Sequence, residues 1–195
     1  RILCLHGGGG SAEGFKRQRG VRDLMAALSD TTFVFGETPE DNGVWIRDPP
    51  NGKGEGTEEA DWADASVSYI DDLIKREPYH AILGYSQGAA MIAVYLSRTS
   101  FFAFDKILLF NGYLPVTHNG IIDSVNETKP FDVRALVFSG EQDVAFGPLS
   151  AGLSDIFMEP VTIKSATAGH HLPFSEDNAF QQIVQFITEE SSRIV

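Results

Sequence analysis

The sequence predicts an α/β fold, a mostly parallel sheet of about six strands with helices on both faces. Short apolar runs alternate along the chain with segments of helical periodicity, the pattern of strand–helix–strand crossovers. The apolar runs do not alternate with polar residues, as expected of strands that are covered on both faces. With 195 residues the chain fits one domain, spanning 1–195, and is long enough to bury a core.

The first half of the chain shows this alternation twice. The opening run Ile2–Leu5 predicts a strand, and Thr32–Phe35 predicts the next one. After each strand, apolar residues recur at helical intervals, first at Val21, Leu24, Met25 and Leu28 and then at Ala63, Val67, Ile70 and Ile74. Residues 36–57 interrupt the pattern with prolines, glycines and charges, over a length unusual for a connection. This loop either covers a site at the carboxyl ends of the strands or is simply a solvent-exposed loop.

The second half predicts the remaining strands and a final helix. Its apolar runs are Ala81–Leu83, Lys106–Phe110, Ala135–Phe138 and Glu159–Lys164. The final helix is marked by Phe180, Ile183, Val184 and Ile187. Ser175 is the candidate N-cap of this helix, with Glu176 and Asp177 in its first turn.

Composition excludes several classes of function. A net charge of −12 argues against nucleic-acid backbones as partners. No run of about 18 apolar residues is present, so no membrane span is expected. Cys4 is the only cysteine, which excludes an internal disulfide and a cysteine-based zinc site. Because it lies within the first apolar run, Cys4 is expected to be a buried, inert thiol, and a reducing compartment such as the cytoplasm is expected for the protein.

A serine lies in the sharpest predicted turn of the chain. Residues 84–88 read Gly-Tyr-Ser-Gln-Gly, the G-x-S-x-G pattern, between an apolar strand and a helix. Such a turn, the nucleophile elbow, exposes the serine hydroxyl above the sheet edge. The glycines Gly84 and Gly88 avoid collisions with the neighbouring helix and strand. The sequence therefore predicts that Ser86 is a nucleophile.

A nucleophilic serine needs a base and an acid that orients the base. After an elbow these follow in the order acid, then histidine, each behind a strand. Asp143 follows the strand Ala135–Phe138 and is the preferred acid, with Glu141 and Asp155 as rivals. The base is one of two neighbours, His170 and His171, behind the strand Glu159–Lys164. Two further histidines, His80 and His118, are expected at the surface.

The loop after the first strand is rich in glycine, and it permits two interpretations. In the first, its backbone joins the N–H of Gln87 in an oxyanion hole, with Gly8 as the preferred second donor, Gly7 or Gly9 as alternatives, and His6 in a structural role. In the second, residues 7–12 satisfy a dinucleotide-binding pattern with Glu37 as its acidic partner, which would make the protein a nucleotide-binding oxidoreductase. The second interpretation leaves the serine elbow unexplained.

Four segments resemble the FSH family of serine hydrolases, within the α/β-hydrolase superfamily. Ile2–Gly7 is similar to that family's opening strand and loop, and residues 84–90 to its Gly-Phe-Ser-Gln-Gly-Ala-Ala elbow. Residues 139–143 fit its acid motif. Residues 169–173 fit its Gly-His-x-x-Pro motif, which places the catalytic histidine at His170. One departure is that glycines and a serine replace the aromatic residue and the Gln-Asn pair that usually follow His-Gly.

The resemblance implies a cofactor-free enzyme without a metal, acting on small-molecule carboxylic esters or thioesters, often with aliphatic acyl chains. The reaction would pass through an acyl-enzyme on Ser86. A lipid-directed lipase or phospholipase of the same fold is an alternative. Tyr85, Phe146 and Trp45 are the candidate substrate-binding residues, with Phe174 a further aromatic candidate. The oligomeric state cannot be inferred from the sequence.

Overall fold

A six-stranded, fully parallel sheet forms the centre of the computed structural model, which describes residues 1–52, 54–99 and 103–189. The strands are β1 Ile2–Leu5, β2 Phe33–Gly36, β3 Ala81–Tyr85, β4 Lys106–Phe110, β5 Arg134–Gly140 and β6 Val161–Ser165. Their order across the sheet is β2-β1-β3-β4-β5-β6. The predicted α/β fold is therefore confirmed; two strands have the predicted boundaries, and the others shift by one or two residues.

Helices cover both faces of the sheet. They are α1 Ala12–Arg17, α2 Arg19–Ala27, α3 Asp64–Arg76, α4 Gln87–Arg98, α5 Asn119–Thr128, α6 Ser150–Ser154 and α7 Asn178–Thr188. One apolar cluster joins α2 and α7 to the sheet, and another joins α3, α4 and α5 to its opposite face. Along β1 the side chains of Leu3 and Leu5 enter one cluster, while Ile2 and Cys4 enter the other. This two-sided burial explains the continuous apolar run.

The strand order places a crevice beside β1. The chain passes from β1 to β2 on one side, and it then returns past β1 to place β3 on the other side. Ligands of open parallel sheets bind beyond the carboxyl ends of the strands where this order reverses. Here that position lies between the loop after β1 and the turn after β3, which contain the glycine run and Ser86.

The last helix begins later than expected. The N-cap of α7 is Asp177, whose Oδ1 accepts the N–H of Ala179 at 2.8 Å. Ser175, the predicted cap, instead donates its backbone N–H to Asp23, and Glu176 pairs with Arg19. The prediction of Ser175 was wrong because contacts with α2, distant in sequence, hold residues 175 and 176 outside the helix.

Two further residues show how burial follows the fold. Cys4 is buried, and this burial raises the pKa of its thiol, in line with the predicted inert role. His118, expected at the surface, is instead buried, and its Nε2 lies 2.8 Å from the carbonyl oxygen of Arg47. The expectation failed because the long loop after β2 folds back over His118.

No helix in the described part of the chain has the length and apolar character needed to cross a bilayer.

Candidate active site

Ser86 occupies a strained turn between β3 and α4. Its φ of 54° and ψ of −118° lie outside the regions that non-glycine residues ordinarily adopt. The flanking glycines are required for close packing. A β-carbon at Gly84 would lie 2.6 Å from the backbone of Gly88, and one at Gly88 would lie 2.4 Å from the carbonyl oxygen of Leu5. The predicted collisions are thereby confirmed, and the turn presents the serine at the crevice.

A chain of hydrogen bonds links the predicted hydroxyl, imidazole and carboxylate. Ser86 Oγ lies 2.9 Å from His170 Nε2, and His170 Nδ1 lies 2.5 Å from Asp143 Oδ2. Because a carboxylate only accepts, the Nδ1 atom bears the proton and Nε2 faces the hydroxyl as an acceptor. Asp143 is 4% exposed, whereas its rivals Glu141 and Asp155 are exposed and take no part in this chain.

Neighbouring groups hold Asp143 and His170 in place. Asp143 Oδ1 accepts the backbone N–H of Phe146 at 3.0 Å, so both carboxylate oxygens are engaged. The Tyr85 hydroxyl donates to the carbonyl oxygen of His170 at 2.5 Å. Burial, reinforced by the negative charge of Asp143, raises the pKa of Tyr85 to about 12, which keeps this donor protonated. The Phe146 ring stacks on the His170 imidazole with centroids 4.6 Å apart.

Asn111, which sequence reasoning missed, connects the acid loop to the histidine loop. It follows β4, is fully buried and has a φ of 47°, which asparagine tolerates better than most residues. Its Nδ2 donates to the carbonyl oxygen of His171 at 2.8 Å, and its Oδ1 accepts the N–H of Gly140 at 2.8 Å. An Asn-Gly pair directly after an apolar strand was the available signal.

We expect Asn111→Ala to lower both stability and turnover. Loss of the amide leaves the N–H of Gly140 and the carbonyl of His171 without their partner, at about 2 kcal/mol of unfolding free energy. Displacement of the two loops should lower kcat by about 10- to 100-fold. Urea unfolding and steady-state kinetics measure the two effects. Glycine tolerates the positive φ, so Asn111→Gly should be more stable than Asn111→Ala but should have an equally low kcat. A wild-type kcat in Asn111→Gly would contradict the role of the Asn111 amide in positioning the two loops.

In the glycine loop, the N–H groups of Gly7 and Gly8 have no acceptor within the described residues, and the orientation of the Gly8 peptide can be inferred from its contacts. The N–H groups of Gly9 and Gly10 are occupied by the carbonyl oxygens of Gly43 and Gly7, at 2.8 and 3.0 Å. The carbonyl of Gly7 also lies 2.8 Å from His6 Nδ1. Since the C=O and N–H of a trans peptide point in opposite directions, these contacts turn the N–H of Gly8 away from them. Like the N–H of Gln87 at the start of α4, it has no acceptor within the described residues.

Glu37 is engaged within the protein and is not available to a ribose. Its Oε2 accepts the N–H of Ala12 at 3.0 Å, and its Oε1 lies 3.2 Å from Nε2 of the buried His6. The carboxylate therefore ties the end of β2 to the glycine loop and to the start of α1. This arrangement removes the acidic partner on which the oxidoreductase interpretation depended.

The loop 36–57 is anchored beside the site through Trp45. The indole Nε1 donates to the carbonyl oxygen of His6 at 2.8 Å, and the Trp45 backbone N–H donates to Gln87 Oε1 at 2.8 Å. Gln87 Nε2 in turn donates to the carbonyl of Ile46 at 3.1 Å. Trp45 is fully buried, so its predicted contact with substrate was wrong. An aromatic residue within a polar loop was assigned to substrate, but it forms the packing core of that loop.

We expect Gln87→Leu to destabilise the fold through this loop. The substitution preserves side-chain bulk but leaves the N–H of Trp45 and the carbonyl of Ile46 buried without partners. The cost should be about 2 kcal/mol or more of unfolding free energy, measured by urea denaturation. Gln182→Leu, on the exposed side of α7, is the matched control and should change stability by less than about 0.5 kcal/mol. Equal effects in the two variants would contradict the role of the Gln87 side chain in holding this loop.

The other candidate residues divide between two cavities. Tyr85 lines a cleft together with Ser86, His170 and the glycine loop. Phe146 lines a second, apolar cavity. Phe174 instead stacks on His171 with centroids 4.5 Å apart, so it supports the neighbour of His170. Within the described ranges, no group of three or more His, Cys, Asp or Glu side chains is arranged to hold a metal ion.

The chain is similar in sequence to proteins named esterases and in fold to a carboxylesterase. The esterase C25G4.2 of Caenorhabditis elegans is 26% identical over 212 residues, covering 99% of this chain and 95% of the relative. The esterase FUS5 of Gibberella moniliformis is 28% identical, covering 96% of this chain and 85% of the relative. The crystal structure of a carboxylesterase from Mesorhizobium loti superimposes with a TM-score of 0.68 at 17% identity, covering 97% of this chain and 88% of that one.

The structural likeness identifies the fold as that of the α/β hydrolases. The relatives over nearly the whole chain are esterases by name. The model of the serine hydrolase (FSH1) family matches residues 1–182. The chain belongs to the FSH1 family of serine hydrolases.

Proposed function

We propose that the protein hydrolyses carboxylic esters or thioesters of aliphatic acids through an acyl-enzyme on Ser86. The observation that carries the proposal is the hydrogen-bonded chain from Ser86 Oγ through His170 to Asp143, at 2.9 and 2.5 Å. Such a chain lets a neutral imidazole take the serine proton as the hydroxyl attacks. Membership of the serine hydrolase family supports the same reaction class.

Acylation begins when Ser86 Oγ bonds to the substrate's carbonyl carbon and its proton moves to His170 Nε2. The carbonyl electron pair moves to oxygen, and the resulting oxyanion accepts hydrogen bonds from the N–H groups of Gln87 and Gly8. When the tetrahedral intermediate collapses, the bond to the leaving oxygen or sulfur breaks, and this atom takes the proton from His170. Asp143 stabilises the charged imidazolium while it exists.

Deacylation repeats these steps with water as the nucleophile. His170 Nε2 takes a proton from water, whose oxygen bonds to the acyl carbon. Collapse of the second intermediate releases the carboxylic acid and returns the proton to Ser86 Oγ. The same groups serve oxygen and sulfur leaving groups, so the proposal covers esters and thioesters alike.

Labelling with a fluorophosphonate probe tests the proposal directly. We expect covalent attachment of the probe to the peptide that contains Ser86, detected by mass spectrometry after proteolysis. A parallel incubation with a p-nitrophenyl ester, quenched early, should show the same peptide heavier by one acyl group. Attachment at another serine, or no attachment by a folded protein, would contradict the proposal. Esters and thioesters with the same acyl group, assayed side by side, then rank the two leaving-group classes.

A further inference from the structure

Two cavities of different chemistry each include one residue of the proposed oxyanion hole, Gly8 in the first and Gln87 in the second. The first, the glycine cleft, has a volume of about 590 Å³ and is lined by the loop after β1 together with Ser86 and His170. The second, the apolar cavity, has a volume of about 170 Å³ and reaches the site at Gln87 and Phe146. Neither Ser86 nor His170 lines the apolar cavity.

The reaction assigns a different part of the substrate to each cavity. His170 Nε2 must pass its proton to the leaving atom, so the leaving group has to lie next to both His170 and Ser86. Those two residues line the glycine cleft. The acyl chain extends from the same carbon in another direction. Gln87, whose backbone N–H is the proposed oxyanion donor, also lines the apolar cavity.

The walls of the apolar cavity suit a hydrocarbon chain. Its aliphatic and aromatic side chains come from the loop after β2, the loop after β4 and the segment after β5, and they are Ile46, Tyr113, Leu114, Pro115, Val116, Phe146 and Leu149. Its polar lining residues are Asp48, Gln87, Thr117 and His118, and two of these side chains are engaged with the backbone. The Gln87 amide bonds to the backbone of Trp45 and Ile46, and His118 Nε2 lies 2.8 Å from the carbonyl of Arg47. A chain that enters therefore meets no unpaired amide or imidazole Nε2.

The volume of the apolar cavity indicates how many carbons of that chain can be buried. An apolar cavity of about 150 Å³ holds one benzene molecule, which has six carbons. A cavity of about 170 Å³ therefore accepts a chain of similar carbon count. On the basis of the proposed function, we infer that the apolar cavity binds the acyl chain and that the enzyme prefers short- to medium-chain esters, with an optimum near hexanoate. This preference also opposes the lipid-directed alternative, whose substrates carry long chains.

A chain-length series tests the inference. p-Nitrophenyl acetate, butyrate, hexanoate, octanoate, decanoate and palmitate are compared in one detergent concentration. We expect kcat/KM to rise by up to about fourfold for each methylene that becomes buried, until hexanoate. It should then fall at least about tenfold by palmitate, as the chain outgrows the cavity. A flat series, or palmitate hydrolysed as well as hexanoate, would overturn the inference.

A larger and a smaller side chain at position 114 should move the optimal acyl-chain length in opposite directions. Leu114→Trp fills the cavity and should lower the hexanoate-to-acetate ratio of kcat/KM about tenfold or more. Leu114→Ala enlarges the cavity and should move the optimum to octanoate or decanoate. Damage to the fold alone would lower the rates for all esters together. Val161→Trp is the control, because Val161 is exposed at the amino end of β6, and the ratio should stay unchanged.

The labelling of Ser86 separates this inference from the proposed function. If the probe labels Ser86 but the Leu114 variants keep the wild-type preference, the acyl assignment alone fails. If a folded protein is not labelled at Ser86, both fail. Labelling together with opposite shifts in the two Leu114 variants supports both.

Discussion

Ser86→Ala should reduce ester hydrolysis by about 10⁴-fold or more while the protein remains folded. The substitution removes only the oxygen that lies 2.9 Å from His170 Nε2, and with it the proposed nucleophile. The β-carbon and the backbone turn remain, so the thermal midpoint should shift by only a few degrees. Steady-state kinetics with p-nitrophenyl hexanoate measure the rate, and circular dichroism measures the melting transition.

A matched serine substitution provides the control for this experiment. Ser68 lies exposed on α3, so Ser68→Ala should retain the wild-type rate and fluorophosphonate labelling. Ser86→Ala should lose both. A Ser86→Ala protein with full activity would refute the assigned nucleophile, whatever the remaining geometry.

His170→Ala and His171→Ala should differ greatly, although the residues are adjacent. We expect His170→Ala to lower kcat by about 10⁴-fold or more, because within the described residues no other imidazole is hydrogen-bonded to Ser86 Oγ. His171 Nε2 accepts the N–H of Gly169 at 3.2 Å, and its ring stacks on Phe174. Its substitution should cost stability and no more than about tenfold in kcat, since the carbonyl oxygen that Asn111 binds remains.

Kinetics and unfolding measurements on both variants separate these roles. The rate of fluorophosphonate labelling should fall in His170→Ala and change little in His171→Ala, because labelling also requires activation of the serine. If the ranking were reversed, the general base would be His171, and the hydrogen bond between His170 and Asp143 would then be structural.

The strands and the elbow could be predicted because their signals are local. An apolar run covered on both sides identifies β3, and glycines on either side of Ser86 identify a turn where the chain packs closely. The acid and the base were narrowed to a few neighbours by a general property of parallel sheets, whose carboxyl ends share one edge. The family resemblance then selected His170 over His171, which composition and spacing had left open.

The errors concerned residues whose partners come from elsewhere in the chain. Trp45 was assigned to substrate, yet its backbone N–H pairs with Gln87, 42 positions away. His118 was placed at the surface, yet the loop after β2 buries it. Asn111 was overlooked, although its amide bonds to the carbonyl of His171, 60 positions away. Hydropathy and spacing carry little information about such contacts.

By itself the sequence determined the order of strands and helices along the chain and the turn that contains Ser86. It also determined the few carboxylates and imidazoles that could act as the acid and the base. Only the tertiary structure decided which carboxylate is buried against the imidazole, which loop N–H groups have no acceptor within the described residues, and which cavities are lined by Ser86 and by Gln87. The reason is physical. Periodicity and turns depend on neighbours along the chain, whereas the orientation of a buried polar group depends on partners that folding brings from distant segments.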